Sequence, residues 1–162
     1  MMLLKDILYG VGLTAVSGST NVMVNAVQFD SRKVTMDDVF VAIRGLVSDG
    51  HDYIEKAVNS GAKAIICEKL PEQMVNEITY VEVRNGNSAL AIMASNFYGN
   101  PSKNLKLVGV TGTNGKTTVS SLLYQLFKRA GYKVGLISTI KIMVDDTEYK
   151  TSHTTPDALT IN

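Results

Sequence analysis

Leu105–Thr139 reads LKLVGVTGTNGKTTVSSLLYQLFKRAGYKVGLIST, and the architecture is best read outward from it. The opening Leu105–Val110 (LKLVGV) has strand composition. Thr111–Lys116 (TGTNGK) is a glycine-rich loop. Val119, Leu122, Leu123, Leu126, Phe127 and Ala130 then recur at helical spacing and make one apolar face. Lys128 and Arg129 fall in the last turn, where cations complement the helix dipole, and Gly131 suits the position after the cap. Lys133–Thr139 (KVGLIST) is the next strand. Strand, loop, helix and strand in this order predict a parallel pair joined by a right-handed crossover. Asp145-Asp146 marks a later turn.

The loop carries chemistry as well as topology. Gly112, Thr113, Asn114, Gly115, Lys116, Thr117 and Thr118 follow a strand and open a helix. Glycines let backbone N–H groups turn toward phosphate oxygens, and the helix N-terminus adds about half a positive charge. Lys116 can reach the β- and γ-phosphates, and the Thr117 hydroxyl can ligate Mg²⁺. The usual phosphate loop puts its first glycine five residues before the Gly-Lys pair. That position is Val110 here, and the nearest glycines are Gly109 and Gly112. A tight packing turn would explain the glycines alone, but not Lys beside two Thr at the helix start.

Upstream, Ala26–Asp30 (AVQFD), Val39–Ile43 (VFVAI), Ala64–Cys67 (AIIC) and Thr79–Val83 (TYVEV) read as strands. Asp49-Gly50-His51-Asp52 is a turn that can cap a helix bearing Tyr53, Ile54, Ala57 and Val58, stopped at Gly61. Asn87 or Ser88 can cap a second helix carrying Leu90, Met93, Ala94 and Phe97. Gly99–Asn104 (GNPSKN) is the candidate linker. Asp30-Ser31-Arg32 ends a strand, where binding groups gather, although a plain polar turn is the simpler reading of these residues. His51 reads as a ligand or, more simply, as a helper of the helix cap. Cys67 reads as a core residue. His153 sits in a hydroxyl-rich segment before Pro156, suited to a phosphate or sugar or to an exposed loop.

Composition narrows the class. The 162 residues are 45% hydrophobic and 19% charged, with a net charge of +1. This fits one globular domain or two small ones and disfavours a nucleic-acid binder. One Cys and two His exclude a disulfide framework and a zinc site. Residues 1–104 hold nine basic and eleven acidic residues, while residues 105–162 hold seven and four, so the second part suits an anion better. No apolar run reaches the ~18 residues of a membrane span. Lys5, the apolar run Ile7–Val16 and Ser17-Gly18-Ser19 faintly resemble a secretion signal, but Asp6, Gly10 and Gly12 interrupt it. A short amphipathic helix and a cytoplasmic protein are the expectation.

GVTGTNGKTT (Gly109–Thr118) resembles the phosphate loop of the Mur ligases and their folylpolyglutamate synthase relatives, in which the shifted glycine is usual. FDSRKV (Phe29–Val34), VFVAIRG (Val39–Gly45) and DGHDYIEKAVNSGAKAIIC (Asp49–Cys67) resemble the uridine-nucleotide domain of two Mur ligases, those adding the third amino acid and the terminal dipeptide. Thr113-Asn114 and HTTPDALTIN (His153–Asn162) are closer to the first of these. The resemblance implies an α/β chain: a small mixed α/β UDP-substrate-binding domain over residues 1–103, then the start of a P-loop-type parallel α/β ATP-binding domain over residues 104–162.

It also implies an activity. Such a ligase adds meso-diaminopimelate or L-lysine to UDP-N-acetylmuramoyl-L-alanyl-D-glutamate through an acyl phosphate, using ATP and Mg²⁺, in peptidoglycan synthesis. By motif position, Phe29, Ser31, Leu46, Val47 and Ser48 would meet the uridine end. Gly112–Thr118 would hold ATP, with Lys116 catalytic and Thr117 on the metal. His153, Thr154 and Thr155 would meet the muramoyl part, His153 standing where relatives often carry Asn. The chain stops at Thr160-Ile161-Asn162 within a helical pattern. The parts that complete the metal site, select the amino acid and finish the central sheet are not in it. The expectation is a chain that forms no amide bond alone and leaves apolar faces of its second part uncovered. Other readings are a different Mur-type ligase, a non-catalytic module binding a UDP-sugar and ATP, and a general P-loop NTPase or kinase. The last of these has no use for the FDSR, FVAIRG and DGH series. Oligomeric state is not legible.

Overall fold

A computed structural model describes residues 1–45, 48–149 and 156–162. Two compact units divide it, Met1–Lys103 and Asn104–Ile161.

The first unit begins with β1 (Met2–Leu3), α1 (Leu4–Ile7), β2 (Leu13–Ser17), β3 (Met23–Val24), β4 (Val27–Gln28) and β5 (Val39–Val41). A 3₁₀ turn (Gly50–Tyr53) leads into α2 (Ile54–Asn59), followed by β6 (Ala64–Cys67), β7 (Thr79–Val83) and α3 (Gly86–Phe97). The main sheet has the order β2-β7-β6-β5-β4. Its β4, β5, β6 and β7 run parallel, and β2 closes one edge antiparallel to β7.

VFV and AIIC are buried along their whole length. Continuous rather than alternating apolar character is what a parallel strand covered on both faces requires. On one face Phe40, Ile65, Cys67 and Tyr80 pack with Ile54 and Ala57 of α2. Elsewhere α3 buries Ala89, Leu90, Met93 and Ala94 and packs against α1 and β4. The Asn96 amide of α3 donates to the carbonyls of Ile7 and Tyr9 at 2.9 and 2.7 Å.

Several expectations shift. The α3 cap is Asn85, whose side chain accepts from Ser88 N at 2.8 Å, rather than Asn87 or Ser88. The strands expected at Ala26–Asp30 and Val39–Ile43 shrink to β4 and β5, because their last residues turn away into the loops of the sheet edge. The apolar N-terminal run is not one amphipathic helix. It breaks at Gly10, whose φ is +80°, and its second half pairs with β7 as β2.

The second unit holds α4 (Lys116–Arg129), β8 (Gly135–Ile137), β9 (Ile142–Val144), β10 (Thr147–Tyr149) and α5 (Ala158–Ile161). The end of α4 forms a complete Schellman motif. Tyr132 N donates to Phe127 O, Gly131 N donates to Lys128 O, and the Phe127 and Tyr132 rings meet edge to face at 6.0 Å. Gly131 takes the left-handed φ of +86° that the motif needs.

The parallel pair expected around α4 is not formed. Among the described residues Leu105–Val110 joins no strand, and β8 pairs antiparallel with β9 in a sheet ordered β10-β9-β8. The hairpins close over short loops and so cost little chain entropy, whereas a parallel partner lies a whole helix away. The turn expected at Asp145-Asp146 joins β9 to β10, with Asp145 at a φ of +51°. The apolar face of α4 is bare, with Leu122 and Leu126 both 60% exposed, and Leu107 of the preceding segment is 78% exposed.

Candidate functional sites

In the second unit the phosphate loop adopts the geometry its sequence needs. Gly115 has a φ of +78°, and a Cβ added there would meet nothing within 4 Å. The glycine therefore serves the backbone turn rather than close packing. That turn starts α4 at Lys116 with no side-chain cap, so its first N–H groups stay open for an anion. Lys116 folds over the loop and donates from Nζ to Gly112 O at 2.6 Å and Thr113 O at 3.5 Å. Residues 112–116 are exposed. Thr117 is half-buried, with its Oγ1 3.5 Å from Thr139 Oγ1.

These residues fit a nucleotide-bound Mg²⁺ in one respect that can be tested. No cluster of three or more metal-ligating side chains exists among the described residues. Mg²⁺ keeps much of its water and is often held by few protein groups plus substrate phosphates. A single hydroxyl such as Thr117 suits that role.

In the first unit the loops at the carboxyl ends of β4, β5, β6 and β7 come together. In open parallel sheets this is the edge that takes ligands. After β4, Asp30 receives Arg32 N at 3.0 Å, Arg32 Nε at 2.9 Å and Arg32 Nη2 at 2.8 Å. The Arg32 hydrogen bonds hold the Asp30 carboxyl down to about 2. This pair is the polar turn, and between its members Ser31 is buried at 8% exposure. Phe29 just before it is half-buried.

After β5, Arg44 and Asp49 form a β-bridge and Gly45 N donates to Ser48 O at 2.9 Å. Asp49 caps the 3₁₀ turn, its Oδ1 accepting from His51 N at 3.0 Å. This bond, with the imidazole, keeps the Asp49 carboxyl below its ordinary value. His51 assists the cap with its side chain as well, Nδ1 meeting the same capping oxygen that accepts its backbone N–H. Its ring spans the edge: Nδ1 lies 2.5 Å from Asp49 Oδ1, and Nε2 accepts from Glu68 N at 2.8 Å. A backbone N–H can only donate, so Nε2 is the unprotonated nitrogen and Nδ1–H faces the carboxylate. Glu68 in turn accepts from Gly86 N at 2.8 Å through Oε1, and its Oε2 lies 3.3 Å from Arg44 Nε.

Two glycines let these loops close. A Cβ on Gly50 would stand 2.7 Å from Ile43 N and O, and one on Gly86 would stand 2.8 Å from Ala42 O. Arg44, Glu68 and Gly86 escaped the sequence reading. Only their positions just after apolar runs hinted at them, and that signal does not distinguish a site from a turn.

The structure thus brings Phe29, Ser31 and Ser48 to loops of one sheet edge, and gathers Gly112–Thr118 in one loop of the other unit. Leu46, Val47, His153, Thr154 and Thr155 lie outside the described residues. Cys67 is buried beside Val81 O, and burial pushes its thiol up to about 11.

A family model described as "Mur ligase family, catalytic domain" matches residues 23–98, and one described as "Mur ligase middle domain" matches residues 110–162. The chain belongs to the Mur ligase family. A UDP-N-acetylmuramoyl-L-alanyl-D-glutamate–2,6-diaminopimelate ligase of Cytophaga hutchinsonii is 50% identical over 162 residues, covering 99% of this chain and 33% of the relative. The protein of the same description from Bacteroides thetaiotaomicron is 47% identical over 161 residues, again 99% of this chain and 33% of the relative. This Mur ligase chain therefore spans about a third of the length of the curated relatives it matches. A solved structure of a ligase with that description superposes with a TM-score of 0.68 at 24% identity, covering 99% of this chain and 32% of the other, and shows the shared fold. Among the described residues no helix is long and apolar enough to cross a membrane.

Proposed function

We propose that this chain is the N-terminal part of a MurE-type ligase. That enzyme joins 2,6-diaminopimelate to UDP-N-acetylmuramoyl-L-alanyl-D-glutamate at the expense of ATP. The observation that carries the reading is the 50% identity, over 99% of this chain, to a ligase of that description. Residues 1–103 form the domain for the UDP end of the substrate, and residues 104–162 begin the ATP-binding domain. Working on two nucleotide substrates, the enzyme belongs to the cytoplasm.

Each residue has a role in this chemistry. Ser31, Phe29 and the loop through Leu46, Val47 and Ser48 hold the uridine nucleotide. His153, Thr154 and Thr155 meet the muramoyl part. The open N–H groups at the start of α4 and the loop Gly112–Thr118 cradle the ATP phosphates. Lys116 leaves its loop carbonyls and turns to the transferring phosphoryl, whose negative charge it stabilises. Thr117 offers its hydroxyl to Mg²⁺, which supplies charge neutralisation on the phosphates when bound. The glutamate side-chain carboxylate takes the γ-phosphoryl and ADP leaves. The amine of the incoming amino acid then attacks the acyl carbon, expels phosphate and forms the amide. The residues that select that amine lie beyond this chain in the proposed enzyme.

Calorimetric titration of single variants tests the assignment. Ser31→Ala should weaken binding of the UDP-muramoyl-dipeptide and leave ATP affinity alone, and Lys116→Ala should do the reverse. Loss of ATP affinity of ~1.5–3 kcal/mol is expected for removing a charged hydrogen-bond partner. Unchanged UDP-substrate affinity in Ser31→Ala would sink that residue's assignment.

A further inference from the structure

His51 is the centre of a closed polar chain on the carboxyl edge of the first unit. Its ring is 15% exposed and both nitrogens are engaged. On one side it holds Asp49, which sits at the descending end of the Gly45–Ser48 loop and pairs with Arg44 across the bridge. On the other side it receives the backbone of Glu68, just past β6. Glu68 divides its carboxylate between Gly86 N, at the start of α3, and Arg44. One imidazole thereby ties the loop after β5 to the ends of β6 and β7. A lysine or arginine there could not accept from Glu68 N, and an aliphatic residue could meet neither partner.

From this geometry, and resting on the reading of this edge as the uridine-nucleotide site, we infer that His51 is a positioning residue for that site. It acts through Asp49, fixing both ends of the Gly45–Ser48 loop before the nucleotide arrives. Backbone already held at Gly45 and Ser48 loses less entropy on binding, so the strut is worth affinity without touching the ligand. None of His51, Asp49, Arg44, Glu68 and Gly86 belongs to the phosphate loop, so ATP affinity serves as the internal control.

The test is titration of UDP-N-acetylmuramoyl-L-alanyl-D-glutamate and, separately, ATP into the chain and its variants, with circular dichroism as the folding control. His51→Ala should weaken the UDP-substrate by about ten-fold or more and leave ATP affinity within about two-fold. His51→Gln carries a donor and an acceptor and should recover most of the loss. Asp49→Ala cuts the same strut from the loop side and should reproduce the loss, which keeps the test alive if His51→Ala fails to fold. Wild-type affinity in folded His51→Ala or in Asp49→Ala overturns the inference, as does His51→Gln being no better than His51→Ala. If the wild-type chain binds ATP but no UDP-substrate, the reading of this edge fails first and the inference falls with it.

Discussion

At the residue scale, acids and a histidine at one sheet edge do different work through their partners. Asp30 and Asp49 are both held ionised, the first by the Arg32 guanidinium and the second chiefly by the His51 backbone N–H. A carboxyl whose folded value is depressed stabilises the fold above its unfolded value, and that contribution disappears as pH falls through the folded one. For Asp30 the window runs from 3.8 down to about 2. Asp30→Asn should therefore lower stability at neutral pH by an amount that fades as pH falls through that window, flattening the acid limb there. Denaturant midpoints measured across pH will show it, and an unaltered acid limb would contradict the pairing. His51 illustrates the limit of sequence reading at this scale. The DGHD turn was plain, but a side chain's partner seventeen positions away at Glu68 is fixed only when β5 and β6 pair.

At the element scale, helix ends are the best-specified features. The side chain of Asn85 caps α3, and its replacement by Ala should cost about 1 kcal/mol by thermal or chemical unfolding. A loss below ~0.3 kcal/mol would mean that Ser88 or a neighbour takes over the cap. AIIC and TYVEV were legible as strands to the residue because a short apolar run between turn residues has few other uses. The parallel pairing of β4 to β7 was not legible: α2 separates β5 from β6, but no helix separates β4 from β5 or β6 from β7. LKLVGV was equally apolar and equally strand-like, yet it joins no ladder among the described residues. Strand composition states a preference for being buried, and a partner must still be present to satisfy it. The two-residue β1 and β3, and the edge strand β2, were illegible for the opposite reason. Their residues are weakly patterned, and neighbouring backbone rather than side-chain periodicity recruits them.

At the scale of the whole molecule, the two units differ in how well they bury what they carry. The first encloses Phe40, Ile65, Tyr80 and Met93 at 2% exposure or less, whereas among the described residues the second buries a single large apolar side chain, Leu136, at 6% exposure. Few buried contacts mean low local stability. Amide hydrogen exchange should find β5, β6 and β7 protected to the level of global unfolding and α4, β8 and β9 exchanging well before them. Equal protection across both units would refute that ranking. The glycine-rich loop was legible because its glycines, Lys116 and Thr117 are contiguous in the sequence. The edge proposed for uridine was legible in Ser31 by resemblance, but Arg44, Glu68 and Gly86 come from three separate strand ends and meet only in the fold.

The central claim is that one chain carries two separate nucleotide sites, one per unit. Calorimetric titration of UDP-N-acetylmuramoyl-L-alanyl-D-glutamate into the chain, free and then saturated with a non-hydrolysable ATP analogue, tests it most directly. The account predicts one equivalent of the UDP-substrate bound in both cases, with the analogue still in place. No heat of binding for the UDP-substrate, or displacement of the analogue by it, would contradict the account.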